Sequence, residues 1–306
     1  LHLGGARTAL VAWLDARSHN GPLVLRVEDL DQPRAQPGVE ARIAEDLRWL
    51  GLDWDEGPDV GGDYTPYRQS EKLARYAEVL AQLVTEGRAY PCFCSRREIA
   101  LASLAPHGPS DDGPRYPGTC RKLTRVQVAE RARRRRPSIR LRVEADTVEW
   151  NDRLHGERSD DVSQQVGDFV LRRADLVPAY QLAVSIDDGE MRISDVVRAD
   201  DLLPSTARQL LIFRALGWQP PRYLHAPLML GPDGVRLSKR HGAVGVRAAR
   251  AAGLPASQVI GTLAATLGLA EHGEALMPAD LIARYDEKKI TRAPTRIDPT
   301  TLVELR

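Results

Sequence analysis

Leu1-His2-Leu3-Gly4-Gly5-Ala6-Arg7-Thr8-Ala9-Leu10 is the stretch on which the fold turns. A histidine and two glycines run straight into an apolar segment that continues to Leu14 and reads as a helix. Gly4 and Gly5 let the backbone approach a ligand closely, and the helix behind them offers unpaired N–H groups at its positive end. His2 adds an imidazole that donates to phosphate oxygens. Alone, this is also how an ordinary glycine-bearing loop enters a helix. A second motif, Arg236-Leu237-Ser238-Lys239-Arg240, follows the tight turn Gly231-Pro232-Asp233-Gly234 far downstream. Its cations suit a clamp on pyrophosphate, where negative charge builds during displacement at an α-phosphorus.

Outward from the first motif, Gly21-Pro22 closes the helical unit, and Leu23–Val27 reads as a short buried strand ending in Glu28-Asp29-Leu30-Asp31. Helices are expected over about 38–50 and 67–86, the second with Leu73, Tyr76, Ala77, Leu80, Leu83 and Val84 on one face. This alternation predicts an α/β layer with a parallel sheet. Residues 90–167 break the rhythm with all the cysteines, a Pro/Gly-rich loop, an arginine run and strand-like pieces at 139–143 and 147–150. Alternation resumes through 168–171, a helix around 180–184, a strand over 193–198, a helix over 205–216 and a strand-like piece at 226–230. The remainder turns mostly helical and reads as a small separate bundle. The expected units are 1–89 and 168–240 as two halves of one catalytic layer, 90–167 as an insertion, and 241–306 as a helical domain.

Composition narrows the class. Hydrophobic residues at 42% and charged residues at 28% are those of a globular protein. No run approaches the roughly 20 apolar residues a membrane span requires, and no signal peptide opens the chain, so a cytoplasmic location is expected. The net charge of +1 does not announce a nucleic-acid partner. Its distribution is more pointed: between Arg115 and Arg142 eleven Lys or Arg stand against the single acid Glu130. Such a run is either a solvated helix face or a phosphate-contacting surface. Cys92, Cys94 and Cys120 cannot all pair, and as three clustered soft ligands they suit a structural zinc site that wants a fourth. His107 is the chemically conventional candidate for that place.

With these residues in view, the chain resembles the class I aminoacyl-tRNA synthetases, and within them the glutamyl-tRNA synthetase catalytic domain. The resemblance rests on Leu1–Leu10, Arg26-Val27-Glu28-Asp29-Leu30-Asp31, Tyr67-Arg68-Gln69-Ser70, Tyr180-Gln181-Leu182-Ala183 with Asp187-Asp188, Val197-Arg198 with Asp201-Leu202-Leu203, and Arg236–His241. It covers roughly residues 1–240. It implies a Rossmann-type parallel sheet with a zinc-bearing insertion and a small C-terminal helical domain. It further implies that His2, Gly4, Gly5, Arg236, Ser238, Lys239 and Arg240 bind ATP with Mg2+, His2 and Lys239 being catalytic. Glu28, Tyr180 and Arg198 would hold L-glutamate. Tyr116 would be the fourth zinc ligand beside Cys92, Cys94 and Cys120, leaving His107 as its rival. The family's further glutamate-binding arginine lies on a strand ahead of the first motif, and such a strand is expected before Leu1.

Only about 65 residues follow Arg240, too few for the anticodon-binding region of a full glutamyl-tRNA synthetase. The resemblance therefore leans to the short glutamyl-queuosine tRNA(Asp) synthetases. These activate glutamate without tRNA and attach it to queuosine in the anticodon of tRNA(Asp). Lys239-Arg240-His241-Gly242 is closer to the ordinary synthetases. A catalytic fragment charging the 3′ end of tRNA(Glu), and a silent RNA-binding paralogue, stay open at this point. A monomer is expected, with no membrane partner.

Overall fold

The computed structural model describes residues 1–31, 38–102, 114–144, 147–235, 237 and 245–297. The opening motif does enter a helix, α1 (Leu3–Ser18), longer than its apolar run and released by Asn20 at a φ of 53°. Asn tolerates this left-handed conformation better than most residues. Leu3, Ala6, Leu10, Val11 and Leu14 make the buried face of α1.

Leu23–Val27 is extended but forms no continuous ladder. Single parallel bridges join Val24 to Glu56 and Val27 to Arg68. After α2 (Val39–Trp49) the second expected helix begins late, as α3 (Leu73–Thr85), because Tyr67 and Arg68 pair with the extended segment. Its buried stripe is Tyr76, Val79, Leu80 and Leu83, whereas Leu73 at 48% and Val84 at 36% face outward. The expected face was therefore rotated by part of a turn, since apolar residues lie on both of its flanks.

A three-stranded antiparallel sheet follows, ordered β1 (Ala89–Cys92), β2 (Ser138–Leu141) and β5 (Val170–Arg172). Between its strands lie α4 (Arg96–Ala102), α5 (Arg125–Arg134), the hairpin β3 (Val148–Asp152) and β4 (Gly156–Asp160), and α6 (Val162–Gln165). Next come α7 (Tyr180–Glu190), β6 (Asp195–Ala199), α8 (Leu203–Leu216), β7 (Arg222–Ala226) and β8 (Met229–Leu230). The main sheet has the order β4-β3-β7-β6, with β6, β7 and β3 parallel and β4 antiparallel. It is thus a mixed sheet rather than the wholly parallel one expected. The hairpin β3–β4, read from sequence as part of the insertion, hydrogen-bonds into it.

The last stretch carries α9 (Val246–Ala251), α10 (Ala256–Ala265), α11 (Pro278–Leu281) and the short strand β9 (Thr295–Arg296), which pairs with β8. Its apolar residues do not stand apart as a separate bundle. Val246, Val259, Ile260, Leu263, Leu267, Leu281 and Ile290 join Leu3, Leu10, Leu14 and Leu50 in one cluster. Full burial of each such side chain is worth about 1.5–3 kcal/mol, so α1 draws much of its stability from this distant segment. Arg153 reinforces the junction, reaching Asp15 at 2.6 Å, Asp195 at 3.0 Å and also Glu287. Among the described residues no helix is long and apolar enough to cross a membrane.

Candidate functional site

His2 is the N-cap of α1. Its Nδ1 accepts the Gly5 N–H at 2.9 Å, so a neutral ring carries its proton on Nε2. A Cβ on Gly4 would lie 3.3 Å from His2 Nδ1, and one on Gly5 3.1 Å from the Leu1 side chain. The glycines thus make room for the folded-over imidazole as well as for a ligand. The first turn of α1 holds no acid to offset its positive end. Beside it is a cavity of about 200 Å3 lined by His2, Gly4, Gly5, Thr8, Met229 and Leu237, among others. Leu237 is buried and donates its N–H to the Met229 carbonyl at 3.1 Å. Residues of both signatures therefore meet on one cavity. Arg236, Ser238, Lys239 and Arg240 lie outside the described residues.

Arg7, on the next turn of α1, is fully buried and donates to the Pro227 carbonyl at the cavity's edge. Burial lowers its pKa to about 10, against the pull of Asp200. It fixes the loop after β7, a task that nothing in the motif's spacing signals.

A larger cavity, about 720 Å3, opens between the extended Leu23–Glu28 segment and β6. Arg26, Glu28 and Asp188 line it. Arg26 holds Asp188 at 2.5 Å and stands 3.6 Å from Glu28. Asp187 is held by Lys72 at 2.6 Å, Gln69 at 3.0 Å and Tyr76 at 3.0 Å. The Glu28 side chain keeps 37% of its surface open to the cavity while dense protein surrounds it otherwise. That enclosure raises its carboxyl above the ordinary range, as does Asp188, while Arg26 and Arg198 pull it down. Burial likewise raises Asp188, against Arg26.

Tyr180 opens α7 and lies within the fields of Glu28 and Arg198; burial, then Glu28, pushes its hydroxyl up to about 12, so it is a neutral donor. Arg198, on β6, is 7% exposed. Its Nε donates to His225 Nε2 at 2.9 Å and its Nη2 to Thr206 Oγ1 at 2.8 Å, while its buried Nη1 has no hydrogen-bond partner among the described residues. A buried guanidinium nitrogen left unsatisfied is costly unless a ligand completes it. Glu28, Tyr180 and Arg198 thus lie within one another's electrostatic reach. His225 and Asp152, which the sequence did not single out, stand behind Arg198.

The cysteines gather in a second place. The sulfurs of Cys92, Cys94 and Cys120 lie within 4.8 Å of one another. The Tyr116 hydroxyl is 3.3 Å from Cys92 Sγ and 3.8 Å from Cys94 Sγ. Gly167 lets Tyr116 in: at a φ of 72°, its Cβ would lie 2.5 Å from the Tyr116 carbonyl. Burial and the two neighbouring sulfurs push the Cys94 thiol up to about 12. Three thiols and one phenol give four converging donors, which fits a tetrahedral zinc. His107 lies outside the described residues.

Above the cysteines runs α5, with no buried residue. Arg131 reaches Cys120 Sγ at 3.9 Å. The arginine run divides by role: Arg140 stacks on the Tyr116 ring at 3.9 Å, and Arg142 and Arg121 are tied to backbone carbonyls. Lys122, Arg125, Arg131 and Arg133 to Arg136 are exposed.

Residues 1–298 match the family described as tRNA synthetases class I (E and Q), catalytic domain. The chain is 48% identical over 306 residues to a glutamyl-Q tRNA(Asp) synthetase of Symbiobacterium thermophilum, covering 100% of this chain and 94% of that one. It is 46% identical to glutamate–tRNA ligase 1 of Halorhodospira halophila, covering 99% of this chain and 63% of the relative. A crystal structure of a glutamate tRNA ligase from Elizabethkingia meningosepticum in complex with its amino acid superposes with a TM-score of 0.84 at 29% identity. That match covers 100% of this chain and 66% of the ligase. Sequence and fold agree, and the chain belongs to the class I tRNA synthetases of the glutamyl and glutaminyl group, which are ligases.

Proposed function

We propose that the chain activates glutamate with ATP and transfers it to queuosine in tRNA(Asp). The observation that carries the amino-acid half is Arg198, whose buried and unpartnered Nη1 shares an electrostatic neighbourhood with Glu28. A zwitterion with a second carboxylate fits this pairing. Glu28 takes the ammonium group, Arg198 a carboxylate, and the Tyr180 hydroxyl donates to the amino acid. An oxygen of the α-carboxylate attacks the α-phosphorus of ATP, the bond to the bridging oxygen breaks, and pyrophosphate leaves with Mg2+. His2 donates from Nε2 to a phosphate oxygen, beside Gly4 and Gly5 at the end of α1. Lys239, with Arg236, Ser238 and Arg240, takes the charge on the departing pyrophosphate.

A hydroxyl of the acceptor then attacks the activated carbonyl and AMP leaves. That the acceptor is queuosine is supported by relatives of that name at 48% and 47% identity. Cys92, Cys94, Cys120 and Tyr116 hold a structural Zn2+ that staples the insertion, and the exposed cations around α5 meet RNA phosphates. The similarity to glutamate–tRNA ligases favours a second reading, charging of the 3′ end of tRNA(Glu).

Labelled glutamate, ATP and purified tRNAs separate the two. Label on queuosine-bearing tRNA(Asp), and none on the unmodified form or on tRNA(Glu), is the expected result. Label at the 3′ end of tRNA(Glu) would replace the first reading with the second.

A further inference from the structure

Behind Arg198 a chain of polar groups runs through the core. Arg198 and His225 are register partners on the parallel strands β6 and β7. His225 Nδ1 lies 2.7 Å from Asp152 Oδ2, and both residues are 0% exposed. Asp152, at the end of β3, also accepts the main-chain N–H groups of Leu154 at 3.0 Å, His155 at 2.8 Å and His225 at 3.2 Å. Tyr223 stacks on the His225 ring and Trp150 meets it edge-on, with centroids 6.1 and 6.0 Å away.

The protons in this chain are determined by chemistry. Arg198 Nε always carries a hydrogen, so His225 Nε2 must accept it. The imidazole proton then sits on Nδ1 and is donated to Asp152. A second ring proton would set N–H against N–H beside a guanidinium. Burial, reinforced by Arg198 and opposed by Asp152, accordingly holds the His225 pKa below its ordinary value.

We propose that Asp152 and His225 are positioning residues that fix the Arg198 guanidinium, with Thr206 beside His225 on the same edge, so that Nη1 is presented to a carboxylate of the amino acid. The inference rests on the amino-acid-activation reading above. Main-chain N–H groups lock the Asp152 carboxylate, Asp152 locks the ring and its tautomer, and the ring locks the plane of the fork. An arginine held at Nε and Nη2 loses little rotational freedom when Nη1 meets its ligand. Both locking residues serve the reaction through Arg198 and touch no substrate.

Two near-isosteric variants separate positioning from packing. In His225→Asn the amide nitrogen replaces Nδ1 and still donates to Asp152, but nothing accepts from Arg198 Nε. In His225→Gln the amide oxygen replaces Nε2 and restores that acceptor. Glutamate-dependent exchange of labelled pyrophosphate into ATP is measured on the full chain, with and without tRNA, together with Tm. We expect H225N to raise the KM for glutamate about tenfold or more while the KM for ATP stays within about twofold. H225Q should remain within about threefold of the unaltered protein for both, and Thr206→Val should raise the glutamate KM about threefold. Indistinguishable H225N and H225Q, or a KM for ATP rising in step with that for glutamate, overturns the proposal. If neither His225 variant folds, T206V decides it, because an unchanged glutamate KM there is equally fatal. Absence of exchange in the unaltered protein under both conditions would sink the activation reading and the relay with it; normal exchange with any of the other failures removes the relay alone.

Discussion

Arg198 and the arginines of α5 are the same residue type in opposite physical states. Arg198 is buried, held through two of its nitrogens and left with one for a ligand. Arg133 to Arg136 are exposed, and their only ion pairs among the described residues are Arg134 with Glu130 and Arg135 with Glu98, both at 3.6 Å. A buried guanidinium acts through direction, because desolvation makes each unmet donor expensive. Exposed ones act through number, because each phosphate neutralised releases counterions whatever its exact position. On the proposed reading, one region recognises a small ion of definite shape and the other holds a long polyanion of variable shape.

The most severe break in this contrast is Arg198→Ala. Removing one partner from a buried charge pair costs about 2–5 kcal/mol, so glutamate activation should fall by roughly thirtyfold to several thousandfold. ATP binding, followed by calorimetry, should survive; unchanged activation would show that the amino-acid pocket lies elsewhere.

An intermediate effect is expected at the joint between the cysteines and α5. Cys120→Ser should lower zinc affinity at least about a hundredfold, read by metal analysis after competition with a chelator. Because Arg131 and Val128 rest on this cluster, RNA affinity should fall with the metal while glutamate activation in the absence of RNA does not. Equal zinc content in C120S and the unaltered protein would remove Cys120 from the ligand set.

The smallest effect sharpens the contrast most. Replacing Arg133, Arg134 and Arg136 together by Ala should weaken RNA binding about tenfold at low salt and reduce the slope of log affinity against log salt by about 2 to 3. Glutamate-dependent exchange should not change. A slope identical to that of the unaltered protein would make this surface a solvated face and no more.

Much of this contrast was legible in the sequence, for reasons that differ by residue. His2, Gly4 and Gly5 form a compact motif whose chemistry is local, and helix capping keeps it so. Glu28, Tyr180 and Arg198 stand at the ends of elements, where short motifs mark them. Asp152 and His225 are single residues 73 positions apart, made partners only by the β3–β7 pairing. The available signal was a histidine inside the otherwise buried strand Tyr223-Leu224-His225-Ala226, and a buried histidine there needs a partner. The mixed sheet was hidden for a related reason: nothing in the pattern of β3 and β4 says which sheet they join. Leu73 and Val84 misled because α3 has apolar residues on two flanks and only packing chooses between them.

The shared cluster of α1 with the helices beyond Val246 bears on how the chain is made. A ribosome releases α1 long before it releases the residues that cover Leu3, Leu10 and Leu14. Through most of synthesis the helix that carries His2 must keep an apolar face without its native partner, a state open to chaperones and to misassociation. The end of α1 that carries His2 is therefore completed only when α10 and α11 arrive, and a nascent chain stalled short of them presents the signature residues on an unfinished helix.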